Sequence, residues 1–361
     1  MTKHDEVQNE AVEKGVEFYK TNNKGYYDLC MRFGKIYTVF KLLRRLYDYD
    51  CTILVAFPNN SIRDEWQYQS HKWGYVNPNI TYVNFSSLHK YKDKIFDFFC
   101  IDEMHAASHL ERSYCHQIMT NSSETKTLGL SGTISNETKG EWGLKEIAKY
   151  TTIDGISDGI IADYSIEVHL VDLDNKITTK NKAGKPKTEK QRYDGYSWII
   201  AKKRKEGENT MYLALARNRL SLSSIGKLNY VKKLLKTLEN KRVIIFTGLA
   251  DVADNIGIAS YHSKSTSNIN FIQFQAGIVN QLALAEIGRI GVSFKNLDYV
   301  IMLNPVYNQE TMAQTVNRAI QLDYKDKCAQ IIITCINEEP EIKKVQEGLG
   351  MLDKSKIIWK K

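Results

Sequence analysis

The sequence predicts an α/β chain of two domains, each a mostly parallel sheet flanked by helices. Three observations predict it. Strand-like apolar runs alternate with helix-like segments through both halves of the chain. Several of these runs, such as "IFDFFCI", are apolar without alternation, as strands buried on both faces are. Between the halves, "DNKITTKNKAGKPKTEKQRYDGYSW" breaks the pattern with a cluster of basic residues around a Gly-Lys-Pro turn. The 361 residues suffice for two domains of ordinary size, expected at 1–155 and 156–361 with a basic loop at about 174–210.

The elements justify this reading in turn. "YYDLCM" is strand-like and leads through "RFGK" into helix-like "IYTVFKLLRRLYDY". Strand-like "CTILVAF", a helix near "SIRDEWQYQSHKW", and strand-like "ITYVNF", "IFDFFCI" and "TKTLGLSGT" follow. In the second half, Leu228, Val231, Leu234, Leu235 and Leu238 recur with a helical period ahead of "KRVIIFTG". "IASYHS", "LALAEI", "LDYVIMLN", a helix over "QETMAQTVNRAIQ" and "CAQIIITC" complete a second α/β unit.

Composition narrows the function classes. With 42% hydrophobic and 25% charged residues, the chain is ordinary for a globular protein. No apolar run approaches the roughly 18 residues of a membrane span, and the first residues do not resemble a signal peptide, so a cytoplasmic protein with no membrane partner is expected. The six cysteines lack CxxC pairing, and Cys51, Cys100 and Cys335 fall in or beside apolar runs, which points to reduced, buried thiols. A net charge of +8 leans towards a polyanionic partner.

The strand over residues 96–101 ends in adjacent carboxylates, Asp102 and Glu103, followed by a histidine. At the carboxyl end of a parallel strand, where open α/β sheets bind ligands, one acid can hold a magnesium ion and the other can polarise water. Upstream, Gly34 and Lys35 follow a strand and open a helix, where backbone N–H groups and the helix dipole favour a phosphate. A phosphate loop also needs a hydroxyl beside its lysine, and Ile36 stands there; Arg32 replaces the usual earlier glycine. Lys35 and Asp102 are 67 residues apart, room for two strand–helix units, and a later strand ends in the hydroxyls Ser131 and Thr133. A zinc reading rests on His105 and His109, at i and i+4 of an expected helix, but Ala106 occupies the position a metalloprotease fills with glutamate. In the basic segment, Lys180, Lys182, Lys185 and Lys187 make either a solvated loop or an arm for phosphates, with Tyr193, Tyr196 and Trp198 able to stack on bases.

In this order the segments resemble the superfamily-2 helicases and translocases of the DEAH/DExH type, particularly small phage forms. "CMRFGKI" resembles motif I, "TILVAFPNNSIRDEW" Ia, "VNFSSL" Ib, "IDEMH" II, "LSGT" III, "RVIIFTG" IV, "EIGRIGVSFKNLDYVIMLN" V and "QTVNRAIQ" VI. The resemblance implies two tandem RecA-like domains, ATP and Mg2+ as cofactors, and a nucleic-acid strand, DNA rather than RNA, as partner. It also implies a setting in phage replication or recombination, with proteins of those processes as further partners. By position it implies that Lys35, with Gly34 and Arg32, binds the ATP phosphates, and that Gln8 reads adenine. Asp102 would hold magnesium largely through water, Glu103 would orient the attacking water, and Arg318 would be the arginine finger. His105, Ser131, Thr133, Gln314 and Gln321 would couple nucleotide state to the rest of the protein. Three departures stand out: Ile36 at the hydroxyl position, Asn317 for glycine, and Gln321 for a second arginine. These leave a rival reading, a nucleic-acid-binding scaffold with weak or lost ATPase activity.

Overall fold

A computed structural model describes residues 2–30, 32–47, 50–132, 136–180, 186–285, 294, 296–305, 308–320 and 328–361. The chain divides into two compact units, Met1–Ile161 and Ala162–Lys361.

The first unit opens with helix α1 (Lys3–Phe18), set by a Thr2–Asp5 capping box. Strand β1 (Lys24–Leu29) leads to helix α2 (Lys35–Leu46), β2 (Ile53–Phe57) to α3 (Asn60–Lys72), and β3 (Ile80–Asn84) to β4 (Phe98–Ile101). Helix α4 (His109–Thr120), β5 (Lys126–Ser131), α5 (Asn136–Trp142), β6 (Lys145–Tyr150) and α6 (Thr152–Ser157) complete it. The sheet order is β3-β2-β4-β5-β1-β6, and all its pairings are parallel. Every residue of β2 and β4 is buried, which is why these strands read as continuous apolar runs.

The second unit begins with β7 (Tyr164–Val171), then an antiparallel hairpin of β8 (Thr178–Lys180) and β9 (Pro186–Thr188). Helices α7 (Glu189–Lys205), α8 (Met211–Leu222) and α9 (Ile225–Thr237) follow. The remainder is β10 (Val243–Thr247), α10 (Ala250–Asn255), β11 (Ala259–Tyr261), α11 (Ile269–Gln275), β12 (Gln281–Ala285), β13 (Tyr299–Met302), α12 (Gln309–Ile320), β14 (Ala329–Ile336), α13 (Glu339–Gly348) and β15 (Ile357–Lys360). Its seven strands run in the order β11-β12-β10-β13-β14-β7-β15, again parallel throughout.

The basic loop expected at 174–210 is corrected by the structure, which has a hairpin there and then the 17-residue helix α7. A Thr188–Gln191 capping box starts that helix, and Tyr193 and Ile200, seven residues apart, bury one face of it. A single narrow apolar stripe among charged residues leaves little hydrophobic periodicity to read. The expected shared helix for His105 and His109 is likewise absent. His105 sits in a short 3-10 turn, and His109 begins α4 only after Ser108 caps it. Five of the six cysteines are buried free thiols and Cys328 is exposed. Among the described residues, no helix is long and apolar enough to cross a membrane.

Candidate nucleotide site

Because the first sheet is parallel, the loops that follow β1, β4 and β5 leave the same edge. Strand β5 lies between β1 and β4, so with neighbouring strands about 4.8 Å apart the outer two are separated by roughly 10 Å. A lysine side chain from the start of α2 and the glutamate after β4 together bridge that gap. Lys35 Nζ lies 3.3 Å from Glu103 Oε1, with both side chains largely shielded. Burial alone would lower the Lys35 pKa, but the Glu103 and Asp102 carboxylates outweigh it and hold the ammonium above its ordinary value.

Strand geometry alone would send Asp102 and Glu103 to opposite faces. Glu103 avoids this by taking a left-handed backbone, φ 50°, at a cost of about 1–2 kcal/mol for a residue with a Cβ. Its amide N–H donates to Asp102 Oδ1 at 2.9 Å, and its carbonyl accepts from Ala106 N–H at 2.8 Å. The strained turn therefore brings two successive carboxylates to one side. Asp102 is 5% exposed and receives the indole N–H of Trp66, Nε1 to Oδ2 2.8 Å, a side chain fully buried on α3. Burial and the neighbouring Glu103 carboxylate push the Asp102 carboxyl up to about 6, against the pull of Lys35 and Trp66.

The loop between β1 and α2 carries two left-handed residues, Arg32 (φ 63°) and Gly34 (φ 82°). A side chain at Gly34 would collide with the carboxamide of Gln8 as well as strain the backbone. Gln8 is buried in α1 and donates to the Phe33 carbonyl at 2.6 Å, while His4 Nε2 lies 2.8 Å from the same oxygen. Phe33 itself is buried against Tyr150. The carboxamide of Gln8 thus holds the loop from below. Beside the loop, a cavity of about 330 Å3 is bounded by Val7, Ala11, Phe33, Tyr150 and Asp154. Thr38, two residues beyond Ile36, uses its hydroxyl on the Gly34 carbonyl at 3.1 Å.

At the end of β5, Ser131 is buried and hydrogen-bonded to His105, Oγ to Nδ1 3.0 Å; that same ring nitrogen lies 3.6 Å from Glu103 Oε2. Lys35, Asp102, Glu103, His105 and Ser131 therefore form one connected group, while Gln8 and Gly34 form the loop support next to it. Sequence reasoning missed Trp66, His4 and Phe33. The signal for Trp66 was a lone tryptophan inside the polar helix "NSIRDEWQYQSHK".

In the second unit, α12 carries Gln314 and Arg318; their side chains, like that of Lys180, lie outside the described part, as do Thr133, Lys182, Lys185 and Gln321 altogether. Asn317 on the same helix is buried. The approach to α12 is anchored by Lys227, a lysine only 3% exposed that donates to the Leu303 carbonyl at 2.9 Å and Asn304 Oδ1 at 2.8 Å. Burial brings its ammonium down to about 8, against Glu341, Cys335 and Glu189. Lys187 is exposed at the hairpin. Tyr193, expected to stack on bases, is buried instead and donates its hydroxyl to Glu341 at 3.1 Å.

Two parallel sheets flanked by helices define the class: tandem RecA-like domains. No family model matches the sequence, and no curated protein matches it. Solved structures do match in fold. The ATP-dependent Type ISP restriction–modification enzyme LlaBIII bound to DNA superposes with a TM-score of 0.62 at 15% identity, over 98% of this chain and 31% of that one. This chain therefore spans about a third of that enzyme's length. S. cerevisiae Dbp5 bound to RNA and ADP BeF3 gives 0.56 at 9% identity, over 98% and 88% of the two chains. The Pyrococcus furiosus Hef helicase domain gives 0.54 at 12% identity, over 96% and 99%. The chain shares the fold of these structures.

Proposed function

We propose that this protein is an ATP-driven translocase or helicase acting on nucleic acid, with the nucleotide held at the Lys35–Asp102–Glu103 group. The observation that carries the reading is that group itself. A shielded lysine and two carboxylates meet at the end of parallel strands, with one carboxylate buried and short of compensating positive charge. That imbalance suits a divalent cation, and the lysine beside it suits a phosphate.

Magnesium, when bound, neutralises charge on the nucleotide phosphates and fixes their orientation. The chain's own residues do the rest. Lys35 and the first amides of α2 take the phosphates, with Gln8 fixing the loop through Phe33. Asp102 would hold the metal, and Trp66 keeps its carboxylate aimed and charged. Glu103 accepts a proton from the attacking water and orients it. His105 and Ser131 carry the state of that carboxylate to the end of β5. Arg318, on α12, is the cation for the transferred phosphoryl group, with Gln314 and Gln321 on the same motif. Lys180, Lys182, Lys185 and Lys187 contribute affinity for the nucleic-acid backbone. DNA is the preferred track, in keeping with the DNA complex of LlaBIII, and replication or recombination in a phage is the setting.

The test is ATP turnover by the purified chain with and without single-stranded DNA, forked DNA and RNA. Stimulated turnover that disappears in Glu103→Gln, while nucleotide binding persists, supports the reading. Nucleic-acid binding without turnover under any condition replaces it with the scaffold reading favoured by Ile36.

A further inference from the structure

The chain's net charge is not spread over it. Residues 174–222 contain 13 basic and five acidic side chains, a surplus of eight. That equals the whole net charge of +8 and leaves 37 basic and 37 acidic residues everywhere else. The surplus therefore belongs to residues 174–222, the stretch that carries α7 and α8.

These helices also expose large apolar side chains that folding would ordinarily bury. Trp198 is 66% exposed and Tyr212 73%. The exposure has a geometric cause on α7. Tyr193 and Ile200 fasten one face of the helix to its unit, with Arg217 lying over the Tyr193 ring. Trp198, five residues from Tyr193, is turned about 140° away from that face. Lys202 and Lys205, four and seven residues after Trp198, share its side of the helix. Lys202 Nζ stands 5.8 Å from the Trp198 ring. On α8, Tyr212, Leu215 and Arg219 repeat the arrangement at i, i+3 and i+7, and Leu215 and Arg219 are exposed as well. Part of the surrounding charge is locally matched, since Lys203 pairs with Glu208 and Lys202 lies 4.0 Å from Glu206. Residues 189–222 nevertheless carry eight basic side chains against four acidic ones.

We infer that the outward faces of α7 and α8 form a platform for single-stranded nucleic acid, with Trp198 and Tyr212 stacking on bases and Lys202, Lys205 and Arg219 meeting phosphates. Flat rings interleaved with cations suit unpaired bases, whose faces stack without regard to sequence and whose backbone supplies the negative charge. A merely solvated face would carry the lysines without the rings. This platform lies beyond the hairpin lysines and rests on the nucleic-acid reading of the whole chain, which its test can separate from it.

The experiment uses the full chain and fluorescein-labelled oligo(dT) and oligo(U), followed by anisotropy at several salt concentrations. Stacking predicts that Trp198→Ala and Tyr212→Ala each weaken binding about 5- to 150-fold with the salt slope unchanged. Phosphate contact predicts that Lys202→Ala with Lys205→Ala flattens the slope of log affinity against log salt by about 1.4. All these residues are exposed, and circular dichroism checks that the variants fold. If wild type binds the oligonucleotides and all variants match it, the platform is overturned while the nucleic-acid reading stands. If wild type binds polyglutamate and neither oligonucleotide, both fall, and the face belongs to an acidic protein.

Discussion

Replacing Trp66 by phenylalanine isolates a single interaction, the indole N–H donated to Asp102 Oδ2 at 2.8 Å. A hydrogen bond to a buried charged group is worth about 1.5–3 kcal/mol. One pKa unit corresponds to about 1.4 kcal/mol, so losing the bond raises the carboxyl pKa by roughly one to two units. From a starting value of about 6, Asp102 would then titrate between roughly 7 and 8. At neutral pH the variant's carboxylate would therefore be ionised to a smaller fraction than the wild type's. Only the ionised form holds a divalent cation. The assay is the magnesium-dependent affinity for a fluorescent ATP analogue as a function of pH, which does not require hydrolysis. The acidic limb of that profile should move one to two pH units upwards. Phenylalanine also leaves a void beside Phe40, whose ring meets Trp66 edge-on, but lost stability lowers the active fraction without moving the limb. An unmoved limb would refute the role given to the indole N–H.

Asp102→Asn tests the same carboxyl through folding. Its folded pKa of about 6 exceeds the ordinary 3.8, so the folded state binds more protons than the unfolded one across that window and loses stability as pH rises from about 4 to 6. Asparagine removes this term, so in chemical denaturation the variant should match wild type at pH 4 and exceed it by on the order of 3 kcal/mol above pH 6; equal stability at pH 7 would count against a raised pKa. Gln8→Ala should cost about 0.5–1.5 kcal/mol and weaken ATP-analogue binding, because the Phe33 carbonyl keeps His4 but loses its other donor and the loop its support; unchanged affinity would detach Gln8 from the loop. Ile36→Thr should raise ATP turnover more than ATP affinity, because a hydroxyl there serves the metal during phosphoryl transfer. Steady-state kinetics with nucleic acid present would show no gain if the half-buried Ile36 is only a packing residue.

The strands buried on both faces were the plainest to read from the sequence. Strands such as "ILVAF" and "FFCI" have no solvent side, so their apolar runs announced them. Strands β6 and β15 lie at sheet edges with charged exposed positions, and β7 alternates Tyr164, Ile166 and Val168 with polar residues. No continuous run marked any of them. Lys35, Asp102 and Glu103 were legible because backbone N–H groups, a lysine and paired acids at strand ends share one chemistry. Their closeness was not, because it depends on a left-handed Glu103 and on β5 separating β1 from β4. Trp66 escaped notice because nothing local says that an indole in a polar helix will reach a carboxylate 36 residues away. The stacking role expected of Tyr193 failed because its ring completes the inner face of α7.

The place of β7 in the second sheet bears on how the protein is made. It lies between β14 and β15, in register from Tyr164 with Ala329 and from Ile166 with Ile357. Its first partner is thus synthesised about 165 residues later, and at 5–20 residues per second β7 waits roughly ten to thirty seconds after leaving the ribosome's active centre. During that interval it is a strand with two unpaired edges, the kind of segment that recruits neighbours on a crowded polysome. Glu167 and His169, set among its apolar residues, would penalise pairing with a foreign strand while they remain unmatched. In the finished fold Tyr230 of α9 and Lys360 of β15 take up those two side chains, so the guard against misassembly is fully discharged only when the last strand is in place.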